Sequence, residues 1–176
     1  METSSTTTKD DRCDTPISSV YGGASGRVTS LQPIIIDPNS CPSEGRLFII
    51  RDPNTELVIG LNEGILTLVP ERNGYVCGIY WLCVESENMW LGFRNAISGT
   101  YIGHDNKRKF IADKKWHRGH ESFCVRQHPD GGHVMLVRWS NDGFLPMRVE
   151  GRTELVVSTR KHAGTAWEFI QVEHSV

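Results

Sequence analysis

The sequence lacks any apolar run approaching 18 residues, so no segment reads as a membrane-spanning helix. It also lacks a sustained 3.6-residue apolar period, which argues against a helical bundle. The N-terminus, METSSTTTKDDRCD, has neither an apolar stretch nor a small-residue cleavage pattern, so no secretory leader is expected. Excess charge of one sign is missing too. The net charge is −2 and the pI near 6.4, which leaves no global field to attract nucleic acid or an anionic membrane. Neither is expected as a partner. The five cysteines, Cys13, Cys41, Cys77, Cys83 and Cys124, include no C-x-x-C pair. Cys83 and Cys124 lie in apolar runs (WLCV, SFCV), where a free thiol acts as a small hydrophobe. Such usage fits a reducing compartment, and a cytoplasmic location is expected. No Ser-His-Asp order, phosphate loop, dinucleotide fingerprint or paired-carboxylate spacing is recognisable, and no cofactor is expected.

What the chain does contain is a run of short strands. Residues 1–30 are Ser, Thr, Gly and Asp with few large apolar side chains; they cannot offset their own ordering entropy, and a disordered tail is expected. Residues 31–45 read as a linker or covering segment, in which Leu31 to Ile36 adds a strand or caps one end of the core. Asp37 to Gly45 is turn chemistry. From there LFIIR, ELVIG, ILTLV, YWLCV, WLGFR, TYIG and HVMLVRW alternate with turns such as Asp52 to Thr55, Asn73-Gly74 and Pro129 to Gly132. Strands at this spacing imply a sandwich or a barrel.

Self-similarity chooses between the two. Trp81, Phe123 and Trp167 each open a strand, 42 and 44 residues apart. Gly78, Gly119 and Gly164 precede them by three or four positions, and Cys83, Val125 and Phe169 follow two residues later on the same strand face. Arg51, Arg94 and Arg138 end the first strand of each unit. Leu57, Tyr101 and Phe144 lie near the start of the second. The third carries Leu66 and Leu68, Phe110 and Ala112, or Leu155 and Val157. Four strands in three units make twelve, the β-trefoil count: an all-β domain over 46–176 with repeats of about 46–88, 89–131 and 132–173. No unit can cover its own apolar face, whereas three can close a barrel and leave few free edges. The three matched arginines are expected to serve structure, holding turn carbonyls or stacking on aromatics, or else to form a three-fold ligand site.

An Arg-ended strand, a Gly or Asn turn, an aromatic-Ile-Gly strand and a closing Trp or Phe strand together resemble fascin-like β-trefoil repeats. The segment WLGFRNAISGTYIGHDNKRKFIA followed by FCVRQHPDGGHVMLV resembles single-trefoil proteins of filamentous fungi. The likeness covers residues 46–173. Fascins bundle actin with four tandem trefoils, and a single trefoil lacks the multiple sites that bundling requires. Ricin-type lectins mark their repeats with Q-x-W. Here the triplets are Ile79-Tyr80-Trp81, Glu121-Ser122-Phe123 and Thr165-Ala166-Trp167, with no Gln.

The second unit is the most polar. His104 beside Asp105 offers a proton-transfer or polar-ligand pair, with His120 near in sequence. The alternative is that Gly103 to Asn106 is only a tight turn. His117 and His120 have a metal-like spacing, but they lie in a loop with no carboxylate or thiol partner, so no metal is expected. The basic run around Lys109, Trp116 and His117 is a ligand-binding candidate or a solvated loop. Trp116 and Trp139 lie outside the closing aromatics and are candidate anchors for a sugar or a protein. Trp90, beside Leu91 and Phe93, is expected in the core. Two functions follow as expectations. The first is a monomeric, non-catalytic binding module whose ligand is a protein or a glycan. The second is a small enzyme or accessory protein acting on a small-molecule intermediate of fungal secondary metabolism through His104, Asp105 and His120.

Overall fold

The computed structural model describes residues 32–33, 41–73, 78–140 and 143–173. The tail at 1–30, Cys13, Gly74 and Cys77 lie outside the described residues. Strands run at Gln32–Pro33 (β1), Leu47–Arg51 (β2), Leu57–Asn62 (β3), Ile65–Pro70 (β4), Trp81–Glu85 (β5), Leu91–Asn95 (β6), Tyr101–His104 (β7), Phe110–Lys114 (β8), Phe123–Gln127 (β9), His133–Ser140 (β10), Gly143–Glu150 (β11), Glu154–Val157 (β12) and Glu168–Glu173 (β13). Strands β2 to β13 are three successive sets of four, and the short β1 pairs with the end of β13.

The first and fourth strands of each set form the barrel. Their order is β13-β2-β5-β6-β9-β10. The ring closes where His133 and Trp167 exchange backbone hydrogen bonds of 2.8 and 2.7 Å. The hairpins β3-β4, β7-β8 and β11-β12 cap one end and touch one another, with Leu68 N–H bonded to Thr153 C=O at 3.0 Å and Val157 N–H to Arg108 C=O at 2.7 Å. This is a β-trefoil. Trp81, Phe123 and Trp167 are fully buried, as are Leu66 and Leu68, Phe110 and Ala112, and Leu155 and Val157. At the barrel centre the Phe93 ring lies 5.6 Å from Phe123 and 5.7 Å from Phe169. The glycines before the closing aromatics are not equivalent. A Cβ on Gly78 would strike the Asn95 amide at 2.8 Å and one on Gly164 would strike Val134 at 2.7 Å, whereas Gly119 faces nothing within 4 Å.

The third set departs from the other two, and the reason is one side chain. Trp81 pairs with Asn95, Phe123 with Val137, and the register of β13 on β2 sets Trp167 opposite Asp52. Asp52 and Asn95 are therefore equivalent, and both stop their strand. The Asp52 carboxylate accepts the Asn54 N–H at 3.1 Å and the Thr55 hydroxyl at 2.8 Å; the Asn95 side chain accepts the N–H of Ile97 at 3.0 Å and of Ser98 at 3.1 Å. These are Asx turns. Val137 offers no acceptor, so β10 continues for eight residues where β2 and β6 have five.

Two expectations are corrected by this register. Leu136, not Arg138, occupies the place of Arg51 and Arg94, because Cys124, Glu168 and Leu82 are their respective partners. The three arginines accordingly share no common role. Arg51 is ion-paired to Glu168 at 2.8 Å, Arg94 donates to the Gly99 carbonyl at 3.3 Å, and Arg138 lies on the extension of β10. Trp90 is likewise outside the core: it is half-buried and packs on Phe144 of the third unit, ring centroids 4.8 Å apart.

The closing tryptophans allow an internal comparison. The Trp81 indole N–H donates to the Ile59 carbonyl at 2.8 Å, while the Trp167 indole N–H has no acceptor among the described residues. Substitution by Phe should therefore cost more at Trp81 than at Trp167, by about 1–3 kcal/mol, since only the first orphans a buried carbonyl. Urea unfolding of the two variants checks this, and equal losses would contradict it.

Candidate functional site

The extension of β10 carries Arg138, Trp139 and Ser140 past the barrel to the end of β7. There it meets His104, which is 2% exposed. The His104 Nε2 lies 2.9 Å from the Arg138 carbonyl, and its Nδ1 accepts the Asn106 N–H at 3.2 Å. A carbonyl can only accept, so Nε2 carries the proton and the ring is neutral. Burial pushes its pKa below the ordinary histidine value, and the neighbouring His120 adds to this; the Arg138 carbonyl and Asp105 oppose it.

His104 packs against two other rings. The His120 centroid is 4.4 Å away and that of Trp139 4.7 Å, tilted by 31° and 36°. His120 is exposed on a short 3-10 turn, Gly119–Glu121, whose shape is set by Glu121 accepting the Arg118 N–H at 3.1 Å and by the Ser122 hydroxyl donating to the Arg118 carbonyl at 2.7 Å. Burial raises the Glu121 carboxyl above its usual range, with the Arg118 N–H opposing. The turn lies tight on β7: a Cβ on Gly103 would come within 3.0 Å of both Glu121 and the His120 carbonyl.

Trp139 is half-buried and separates two clefts. One, of about 280 Å3, is bordered by Gly119, His120, Arg138 and Ser140. The other, of about 560 Å3, has Val134, Leu136 and Phe144 as apolar surface, with Arg126, Lys161 and His162 among its polar groups. Trp90 braces Phe144 from behind. The result is a firmly backed aromatic wall with cationic and hydrogen-bonding groups around it.

The remaining sequence candidates have other partners. The Asp105 carboxylate accepts the N–H of Lys107 at 2.7 Å and of Lys109 at 3.0 Å, so it is a turn anchor. This corrects the expected His104–Asp105 acid–base pair, because each member is committed to backbone groups elsewhere. Lys109 bridges to Val156 through its backbone. His117 stacks on Tyr101 at 5.6 Å and lies against Gly92, where a Cβ would meet the ring at 2.9 Å. Burial lowers the His117 pKa, with the Leu91 backbone opposing. Trp116 is 49% exposed, and the cations of Arg118 and Lys114 sit 5.3 and 6.0 Å from its ring. Of the candidates, then, His104, His120 and Trp139 come together. Glu121 and Phe144 join them without having been singled out as site residues; an Arg-x-x-Glu capping pattern and a missing Asx stop were the available signals.

No protein-family model matches the chain, and no curated protein matches its sequence. Solved structures do match. The designed three-fold symmetric protein ThreeFoil aligns with a TM-score of 0.58 at 9% identity, over 70% of this chain and 97% of that one. A ricin B-like lectin of Macrolepiota procera in complex with lactose aligns with a TM-score of 0.56 at 15% identity, over 74% and 98%. SeviL bound to the asialo-GM1 saccharide aligns with a TM-score of 0.54 at 10% identity, over 74% and 98%. At such identities the likeness is one of fold.

The buried histidines make stability depend on pH. His104, His117 and His133 are all pulled below the ordinary value by burial, so the unfolded chain binds these protons more readily. Their contribution is complete above about pH 6.5 and declines as the pH falls below it, by up to about 1.4 kcal/mol per pH unit for each. Glu121 acts oppositely, in a window opening above about pH 4.5. Thermal melts should show Tm falling from pH 7 to 5.5, with a shallower fall in His133→Leu; a flat wild-type profile would refute the assignment.

Proposed function

We propose that the chain is a monomeric, cytoplasmic, non-catalytic module that binds a glycan in the cleft walled by Trp139. The observation that carries this is the Trp139 ring, half-buried, held from behind by a neutral His104 and facing a cleft of about 560 Å3. That size suits a small ligand. A fixed aromatic face gives a sugar an apolar platform at little entropic cost, and Arg126, Lys161 and His162 supply polar groups around it. The structural neighbours in complex with lactose and bound to the asialo-GM1 saccharide favour a glycan over a protein ligand. The committed ring nitrogens of His104 favour binding over acid–base chemistry. The three described cysteines, Cys41, Cys83 and Cys124, are free, which supports a reducing compartment. Burial pushes the Cys83 thiol up to about 12, which keeps it unreactive.

A glycan array followed by titration of the best hit tests the reading. Trp139→Ala should weaken binding at least about tenfold, the loss of one well-placed aromatic contact. Trp116→Ala should leave it within about twofold of wild type, since Trp116 lines no part of that cleft. An empty array, or equal effects of the two substitutions, would overturn the proposal.

A further inference from the structure

The segment Ser158 to Ala163, between β12 and β13, has a second cleft on its other side. Lys161 and His162 border the Trp139 cleft, while Ser158, Thr159, Arg160 and Ala163 border a separate one of about 340 Å3, completed by Arg108 and Arg148. Three arginines therefore line one small cavity. Among the described residues a single carboxylate answers them: Arg148 is ion-paired to Glu150. Arg108 uses its Nε on the Val157 carbonyl at 3.1 Å, which leaves its two terminal nitrogens without a partner among the described residues. The Arg160 side chain has no partner among the described residues, and its backbone is anchored by its N–H to the Ser158 hydroxyl at 3.2 Å and its carbonyl from that hydroxyl at 3.1 Å.

Two features argue that the convergence is built. Arg108 adopts φ = 77°, a left-handed conformation that costs a non-glycine residue energy, and is held there by its reciprocal bonds to Val157. The cluster also breaks the three-fold repeat. Val157–Arg108 and Leu68–Thr153 are matching contacts between neighbouring hairpins. By the pairings of Arg148 with Val156 and of Gly60 with Thr67, and by counting three residues on from Val157 and from Leu68, the matching positions at the second junction are Thr153, Gly60 and Glu71, none of them basic. Architecture thus does not require the arginines.

We propose that this cleft is a binding site for a tetrahedral oxyanion, a phosphate or sulfate ester group. Guanidinium forks match two oxygens at once, and Ser158 and Thr159 border the same cleft. The site is independent of the Trp139 reading, although the shared segment 158–163 would allow one ligand to span both. The test is NMR titration of the full chain with sodium phosphate and with sodium sulfate, against sodium chloride at matched ionic strength. The expected result is saturable amide shifts confined to Arg108, Arg148 and 158–163, absent with chloride. Arg160→Gln, whose side chain supports no other contact, should weaken binding about tenfold, the value of one charge-assisted hydrogen bond. Trp139→Ala should leave it unchanged, which separates failure of this site from failure of the glycan site. Titrations with glucose 6-phosphate and with glucose 6-sulfate then distinguish the two ester classes. Shifts that chloride reproduces, that lie elsewhere, or that titrate with unchanged affinity in Arg160→Gln would overturn the proposal.

Discussion

The fold rests on the backbone pair between His133 and Trp167. Within the six-strand ring, β13-β2, β5-β6 and β9-β10 are joined by ladders of five pairs, β2-β5 by two pairs and β6-β9 by the single pair of Leu91 with Phe123. The last seam, between β10 and β13, is closed by this one bridge. Without it the sheet would present two open edges and the aromatic core would face water. The cost of the seam is visible beside it. His133 is fully buried with neither ring nitrogen partnered among the described residues, and the Trp167 indole N–H is in the same condition. The equivalent seams place Phe48 against Trp81 and Leu91 against Phe123, both wholly apolar. The polar seam is the one that leaves buried nitrogens without partners among the described residues, and burial holds His133 below the ordinary histidine value.

The same third unit that closes the barrel also produces the candidate site. In the first two units an Asx side chain ends the outgoing strand as it leaves the barrel. In the third, Val137 stands there, and the strand continues through Trp139. That continuation delivers a carbonyl to His104, fixes its tautomer, and lays an indole over its ring. The neutral imidazole is thus a spacer between strands and a support for Trp139. A proton on Nδ1 would set two donors against each other at Asn106, so the arrangement also resists the titration that catalysis by this ring would need.

How much of this could be read in the chain depends on which residues obey the repeat. The closing aromatics, the residues two after them and the third-strand pairs are core positions, and burial forces them to recur, so their spacing reveals the architecture. Surface residues recur only by coincidence. Arg138 falls 44 residues after Arg94 and looks equivalent, yet it sits two places beyond the true match. The Asx residues were the better markers, because a strand stop is a backbone requirement: Asp52 and Asn95 match, and the absence of a third was the sign of a longer hairpin. Trp90 misleads for a related reason. An apolar neighbourhood in sequence does not say which face of a strand a residue takes when the adjoining unit can cover the outer one.

Asymmetry carries the functional argument further than any single motif does. A trefoil core can be assembled from three similar units, so a departure that costs energy needs a reason other than folding. Three such departures fall between residues 108 and 163: a strand without its stop, an arginine held at φ = 77°, and a return loop that borders two different clefts. All of them involve the third unit or its junction with the second. The expectation from sequence put the specific chemistry at 104–120. In the structure His104 packs against His120 and Trp139, while the cleft of about 560 Å3 is bordered by residues between 126 and 162. Two clefts with different chemistry, one aromatic and one cationic, share a single loop. A ligand with an apolar sugar face and an anionic substituent is the kind of molecule that both could hold together.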